Sequence, residues 1–204
     1  MTTTLPRASA ILGAARTLAA KLLLTVPIDR AALSEAMIQS TGGRDAAGAW
    51  QQRDSFEALE VALAMAVPQL VGQMEAGAAI RTLEALTKDL PTHTVRSEAQ
   101  IAFQQFSTPP ALAYLAVHLA RLSAEDVFLE PSAGTGIIAS LTQGLAKSSV
   151  LNELEPTRAD LLEGIFPESH VFRHDGAKLG ALLSGNTRPS VIVMNPPFSI
   201  SQSR

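Results

Sequence analysis

The sequence contains no cysteine, and this absence excludes several classes of protein. Without thiols the chain can form no disulfide framework, no thiolate zinc site and no cysteine nucleophile. Only four histidines are present, and they are scattered rather than paired at metal-ligand spacing: His93, His118, His170 and His174. We therefore expect no metal site.

Charge and long apolar runs are also scarce. Charged residues make up 17% of the chain against 47% hydrophobic residues, with a net charge of -3, which excludes a disordered polyelectrolyte. No apolar run reaches the roughly 18–20 residues that a membrane span requires, and the first residues lack the basic-then-apolar form of a secretory signal. We expect a globular, cytoplasmic protein that does not bind membranes.

Neither half of the chain is basic. Residues 1–95 carry 8 Lys and Arg against 9 Asp and Glu, and residues 96–204 carry 8 against 10, which sums to the 16 and 19 of the whole chain. The strong phosphate attraction that usually dominates nucleic-acid affinity is therefore missing. A nucleic-acid partner would have to be held mainly by something outside this chain.

The first segment, residues 1–95, has the pattern of successive helices, because apolar residues recur at three- and four-residue spacing. One helix is predicted to run towards Pro68 and another from Pro68 to Leu90, with Met74 on its apolar side. Trp50 has no basic cluster around it, which favours a core anchor over a base-stacking platform. We predict a helical N-terminal domain over residues 1–95.

The pattern changes in the second segment, residues 96–204. A helix is predicted from Pro109 to Arg121, and its inward side chains are predicted to be Leu112, Leu115, Ala116 and Leu119. Short apolar runs then alternate with helical segments, and the four predicted strands lie near residues 127–129, 149–152, 170–173 and 191–194. This alternation predicts an α/β domain with about four parallel strands and helices on both faces.

A doubly wound sheet of four strands with an open edge is unusually small. We therefore expect residues 96–204 to be the N-terminal portion of a longer domain. The open edge of the sheet also predicts a homo-oligomer that covers it.

The first motif with chemical meaning follows the first predicted strand and reads Glu130-Pro131-Ser132-Ala133-Gly134-Thr135-Gly136. Glycines at this place let the backbone turn sharply and approach a ligand, while helix N–H groups point at it. A nicotinamide-binding fingerprint is disfavoured because Ala139 stands where it needs a third glycine. A phosphate-binding P-loop is disfavoured more strongly, since no Gly-Lys-Ser/Thr follows. A plain tight turn remains the alternative.

Carboxylates follow the next two predicted strands. Glu153 is placed to accept both hydroxyls of a ribose bound across the strand ends, whereas Glu155 better fits a helix N-terminal charge. Asp175 can accept a hydrogen bond from an adenine amino group or cap the following helix, and taken alone it favours the cap.

The fourth strand is followed by Asn195-Pro196-Pro197-Phe198. Two prolines stiffen the turn and fix the geometry of the preceding residue. The Asn195 side-chain oxygen and a proline carbonyl then become rigid acceptors that can bind a planar amino group, and Phe198 offers a flat face for the ring carrying it. This combination favours a functional site over a plain turn.

In this order, these motifs resemble motifs I to IV of S-adenosylmethionine-dependent amino-methyltransferases. Upstream, Gln105-Phe106-Ser107-Thr108-Pro109-Pro110 is similar to the motif that precedes the sheet in type I and type IIG adenine-N6 DNA methyltransferases of restriction-modification systems. The resemblance covers about residues 97–204. It implies a Rossmann-like class I methyltransferase sheet, present here only as far as motif IV.

The resemblance also implies a site for S-adenosylmethionine. Glu153 would hold the ribose and Asp175 the adenine, while Glu130 would organise the methionine amino group through water. The methionine end would contact the glycine turn at Ala133, Gly134, Thr135 and Gly136, and the arm at Phe106, Thr108 and Pro109.

The implied reaction is methylation of adenine N6 in DNA. The target adenine would leave the duplex, because its N6 is inaccessible to an enzyme pocket while stacked. Asn195 and the Pro196 carbonyl would accept the amino hydrogens, Phe198 would stack on the base, and N6 would attack the sulfonium methyl in line. Positioning would supply most of the rate without a metal or a strong base.

Two further expectations concern partners. The region around Trp50 is similar to the leader of large proteins that fuse such a methyltransferase to a strawberry-notch-type helicase, which implies a helicase module in the same polypeptide. The full-length protein would then bind DNA, whereas this chain would bind DNA weakly or not at all. The expected later strands are absent from this chain, so we expect it to bind cofactor weakly or not at all and to be inactive in isolation.

Two alternatives remain open. Asn-Pro-Pro-Phe also occurs in methyltransferases that act on ribosomal-RNA guanine N2 and on glutamine amides of release factors. The chain could also be a non-catalytic interaction module, in which the helical half binds a partner and the sheet is a scaffold.

Overall fold

A computed structural model describes residues 6–92, 107–183 and 188–196. Phe106 and Phe198, two of the predicted site residues, lie outside these ranges. The described helices are α1 (Arg7–Leu23), α2 (Arg30–Thr41), α3 (Gln52–Val71), α4 (Ala76–Lys88), α5 (Pro110–Ala120), α6 (Ile137–Thr142) and α7 (Pro156–Ile165). The strands are β1 (Val127–Glu130), β2 (Ser148–Asn152), β3 (His170–Phe172) and β4 (Val191–Ile192), with 3₁₀ turns at Asp45–Ala47 and Gly176–Ala181. No helix in these ranges is both long and apolar enough to cross a membrane.

The four strands form one parallel sheet in the order β3-β2-β1-β4. Leu129 of β1 pairs with Val150 on one side and with Ile192 on the other, which places β1 at the centre. The predicted α/β class with about four parallel strands is confirmed. The order equals that of the first four strands of a doubly wound sheet. Strands β2 and β3 are added on one side of β1, and β4 is added on its other side.

Two groups of buried apolar side chains hold the elements together, and each includes residues from both sequence segments. The first joins α1, α2 and α3 and includes Leu161 of α7. The second brings Val67 of α3 and Leu83 of α4 against Phe128 of β1. The division at residue 95 stays a prediction about domains, but helices of the first segment pack directly on helices of the second: α1 on α7, α3 on α6 and α4 on α5. Burial of these side chains supplies the main driving force for that packing.

Trp50 is buried and its indole nitrogen donates to the Gly43 carbonyl over 3.0 Å, which confirms the core anchor. The predicted break at Pro68 is wrong, because α3 continues through Pro68 to Val71. The helix loses one backbone hydrogen bond at the proline, but Val67 and Val71 remain buried on its apolar face. Met74 accordingly lies between α3 and α4 and is 42% exposed.

The predicted inward face of the helix before β1 is also wrong. Ala113 and Val117 of α5 are buried and Ala116 is partly buried, whereas the three predicted leucines, Leu112, Leu115 and Leu119, are exposed. Helix α5 packs against α4 and α6, and its small side chains allow this close approach, so the larger leucines lie on the other side.

Candidate functional site

The candidate site lies where the carboxyl ends of β1 and β4 meet. These strands are neighbours, while β2 and β3 follow on the other side of β1. In open α/β sheets, such a reversal of strand order leaves a crevice in which ligands bind. The turn after β1, residues 131–136, and residues 193–196 after β4 flank this crevice.

The glycine turn after β1 has a conformation that other residues adopt only at a cost. Gly134 and Gly136 have φ values of +56° and +89°. A Cβ atom at Gly136 would lie 2.6 Å from Phe166 and 2.9 Å from Leu162, so the turn packs closely on the end of α7. The glycines therefore allow both the backbone turn and its contact with a neighbouring helix.

Asn152 at the end of β2 connects three strand ends, and the sequence analysis did not single it out. Its side-chain nitrogen donates to the Pro131 and His174 carbonyls over 2.9 and 2.8 Å, and its oxygen accepts from the His174 backbone amide over 3.0 Å. The side chain is buried. An amide directly after the apolar pair Val150 and Leu151 was the available signal, since a buried amide must find several partners.

Glu153 also joins two loops. Its Oε2 atom accepts from the Gly134 amide over 2.8 Å and its Oε1 atom accepts from the Glu155 amide over 2.9 Å. Burial raises the pKa of Glu153, and these two amides together with Arg158 partly oppose that rise. Each carboxylate oxygen can accept more than one hydrogen bond, so the predicted ribose contact is compatible with this arrangement.

Glu130 lies beneath the glycine turn rather than on its surface. The residue is 2% exposed, and its Oε2 atom has no hydrogen-bond partner in the described part of the chain. Burial raises the pKa of Glu130 well above its ordinary value; the Ala139 amide opposes this and nearby Glu153 adds to it. Any contact of Glu130 with a bound ligand would therefore have to pass through an intermediary such as water.

Asp175 caps the short 3₁₀ turn after β3, because its side chain accepts from the Ala177 amide over 3.1 Å. The same residue lines a cavity of about 1080 Å³ together with Pro131 and Ser132 of the glycine turn and Pro196 after β4. Residues that follow three different strands thus share one cavity. Apolar side chains make up much of the remaining lining, as is usual for small-molecule sites: Leu129, Leu179, Leu183, Ile192 and Met194.

Asn195 contacts the arm that precedes the sheet. Its side-chain nitrogen donates to the Thr108 hydroxyl over 3.0 Å, across 87 residues of sequence. Pro109 follows Thr108 directly and is the N-cap residue of α5. The structure therefore brings together two of the predicted regions, the arm and the turn after β4, although neither Thr108 nor Asn195 is among the described residues that line the cavity.

Helix α3 of the first segment contributes a residue that the sequence analysis missed. The Thr135 hydroxyl of the glycine turn donates to Glu60 Oε2 over 3.2 Å. The Ser107 hydroxyl of the arm donates to the other oxygen, Glu60 Oε1. Glu60 thus joins the arm to the glycine turn, and no local signal in a helical pattern could have indicated this long-range contact.

A buried ion-pair cluster lies next to Glu60. The Arg158 guanidinium is 3.3 Å from Glu57 and 3.8 Å from Glu60. Burial lowers the pKa of Arg158, but Glu60 and Glu57 more than offset this and the pKa is raised. Burial raises the pKa of Glu57, whose Oε2 atom has no hydrogen-bond partner in the described ranges. In those ranges no group of three histidine or carboxylate residues is arranged to hold a metal ion.

No protein-family model matches the chain, and no curated protein matches it. Among solved structures, the chain is similar to the crystal structure of a protein from Pyrococcus horikoshii that is described as a suspected RNA methyltransferase, with 22% sequence identity and a TM-score of 0.43. The match covers 59% of this chain and 61% of that chain, so this chain spans less than two thirds of the other's length. A likeness of this extent carries no argument about function.

Proposed function

We propose that this chain binds S-adenosylmethionine and positions a planar amino group for methylation, with adenine N6 in DNA as the acceptor. The contact of Asn195 with Thr108 carries this proposal. It joins the rigid Asn-Pro turn, suited to hold the acceptor, to the arm that the sequence resemblance assigns to the cofactor. The methyl donor and the amino group that accepts the methyl would then lie side by side at the crevice between β1 and β4.

The charges of the site fit this cofactor. S-adenosylmethionine carries a sulfonium and an ammonium group, and when bound it supplies an electrophilic methyl group. The Arg158 guanidinium interacts with the carboxylates Glu57, Glu60 and Glu153, while Arg7 also acts on Glu57 and Arg188 lines the cavity. In the described part of the chain, one buried carboxylate oxygen of Glu57 and one of Glu130 have no hydrogen-bond partner. Burial raises the pKa of Glu57 and of Glu153, and a cationic ligand would stabilise their ionised form.

Asn195 and Pro196 would hold the acceptor. The bond to Thr108 uses the nitrogen of the Asn195 amide, which fixes the plane of the amide and directs its oxygen away from Thr108. That oxygen and the Pro196 carbonyl then accept the two hydrogens of the amino group. When both hydrogens are accepted, the lone pair of the amino nitrogen is drawn out of conjugation with the ring. The stiff proline turn keeps this nitrogen aligned with the methyl group of the cofactor. Correct alignment of this kind supplies most of the rate in a direct transfer.

The choice of adenine in DNA rests on the sequence resemblance of the arm and of the Asn-Pro-Pro-Phe turn. Phe198 would stack on the extruded base, since N6 cannot reach a protein pocket from within the helix. The net charge of -3 supplies no general attraction for phosphate. We therefore propose that affinity for DNA comes mainly from a partner or from a further part of the polypeptide.

Two measurements test the proposal. Calorimetric titration of the chain with S-adenosylmethionine should show one site per chain, and the absence of binding by a folded sample would contradict the proposal. Methyl transfer is then measured at single turnover in a longer polypeptide that carries the expected later strands, because this chain is expected to be inactive in isolation. The assay uses labelled cofactor, excess protein and equal amounts of DNA, RNA and a glutamine-containing peptide. Label should appear as N6-methyladenine in DNA. Label in RNA or peptide, or binding without any transfer, would contradict it.

A further inference from the structure

Glu60 of α3 connects the glycine turn to the arm before the sheet, and packing of α3 does not by itself require this connection. Its two carboxylate oxygens accept from Thr135 of the glycine turn and from Ser107 of the arm. The Glu60 side chain is 24% exposed, whereas Glu130 is almost completely buried. Glu60 is therefore a carboxylate at the meeting point of turn and arm that a ligand can contact directly.

The surroundings of Glu60 favour a positively charged ligand. Arg158 interacts with Glu60, Glu57 and Glu153, and Glu57 also interacts with Arg7 and Glu155, so carboxylates outnumber guanidinium groups in the cluster. Glu57 is 7% exposed and its carboxylate lies against the same guanidinium; among the residues that the structure describes, its Oε2 atom has no hydrogen-bond partner. A buried carboxylate oxygen without a partner is costly, and an ammonium group near the cluster would reduce that cost.

We propose that Glu60 binds the α-ammonium group of the methionine portion of the cofactor. The inference rests on the proposed function, in which the methionine portion lies between the glycine turn and the arm. Thr135 and Ser107 hold the Glu60 carboxylate in place, and each of its oxygens keeps a lone pair for the ligand. Helix α3, from the segment that precedes the sheet, thereby completes the cofactor site.

The test compares ligands that differ in the ammonium group. Affinities of the full chain are measured by calorimetry for S-adenosylhomocysteine, for its desamino analogue and for 5′-methylthioadenosine, which lacks the whole amino-acid portion. The variants are wild type, Glu60→Gln and the control Glu84→Gln, which alters an exposed glutamate on α4. Glu60→Gln should weaken S-adenosylhomocysteine binding about tenfold or more, as expected for a lost charged hydrogen bond. It should change the affinity for 5′-methylthioadenosine and for the desamino analogue less than about twofold.

The outcomes are distinct. Equal affinity of Glu60→Gln and wild type for S-adenosylhomocysteine would overturn this inference while the proposed function stands. Equal weakening of all three ligands would also overturn it, because Glu60 would then only shape the turn. If wild type binds none of the ligands, the proposed function itself fails. If Glu60→Gln does not fold, the inference is tested by comparing two ligands in the wild type. The desamino analogue should then bind about tenfold more weakly than S-adenosylhomocysteine, and equal affinity would overturn the inference.

Discussion

The backbone amide of Gly134 donates to Glu153 Oε2 over 2.8 Å, so the turn after β1 and the end of β2 are fixed to each other. The other oxygen of Glu153 is held by the Glu155 amide. A carboxylate held on both sides loses little further freedom when a ligand binds. The proposed ribose contact would therefore have a low entropic cost.

Replacing Asn195 should separate transfer from cofactor binding. Asn195→Ala removes the amide oxygen that would accept an amino hydrogen, and we expect the single-turnover transfer rate to fall about 100-fold, as for other lost polar contacts to a reacting group. The affinity for S-adenosylhomocysteine should stay within about twofold. Gln39→Ala, which removes an exposed side-chain amide on α2, is the control and should transfer normally. An unchanged rate in Asn195→Ala would contradict the assigned role.

Two glycines with similar backbone angles should respond differently to alanine. Gly136 and Gly144 have φ values of +89° and +75°, so both substitutions carry left-handed strain of roughly 1–2 kcal/mol. Only at Gly136 would the new methyl group collide, with Phe166 and Leu162. Chemical denaturation should show that Gly136→Ala loses about 1–3 kcal/mol more in the free energy of unfolding than Gly144→Ala. Equal losses would show that the contact with α7 relaxes without cost.

Asn152 should be important for stability although it has no proposed chemical role. Asn152→Ala removes three hydrogen bonds from a buried side chain to the backbone of Pro131 and His174. We expect a loss of about 3 kcal/mol in the free energy of unfolding, measured with urea. Gln69→Ala, which removes one exposed side-chain bond on α3, should cost less than about 0.5 kcal/mol. Similar losses in both variants would contradict the bridging role.

Glu130 should make stability depend on pH. The pKa of Glu130 in the folded chain is raised above the ordinary 4.5. At pH values between 4.5 and this raised pKa, the folded state binds more protons than the unfolded state. The free energy of unfolding then falls as the pH rises through this window. Glu130→Gln stays neutral, and its stability relative to wild type should increase from pH 4.5 upward. Denaturation curves of the two proteins that remain parallel across pH would contradict this.

Local features of the sequence predicted most of the second segment. The four predicted strands agree with the structure in place and order, because alternation, proline and glycine act over a few residues. The inward face of α5 was wrong, since Leu112 and Leu119 look like core residues in any local pattern. Packing against α4 and α6 selects the small residues instead.

The sequence by itself determined the α/β class, the order of the motifs and the turns that carry them, since these depend on backbone preferences of neighbouring residues. Only the tertiary structure decided which distant side chains meet. The contacts of Asn195 with Thr108 and of Glu60 with Thr135 span 87 and 75 residues. Such contacts follow from strand order and helix packing, which depend on the whole buried core rather than on any local pattern.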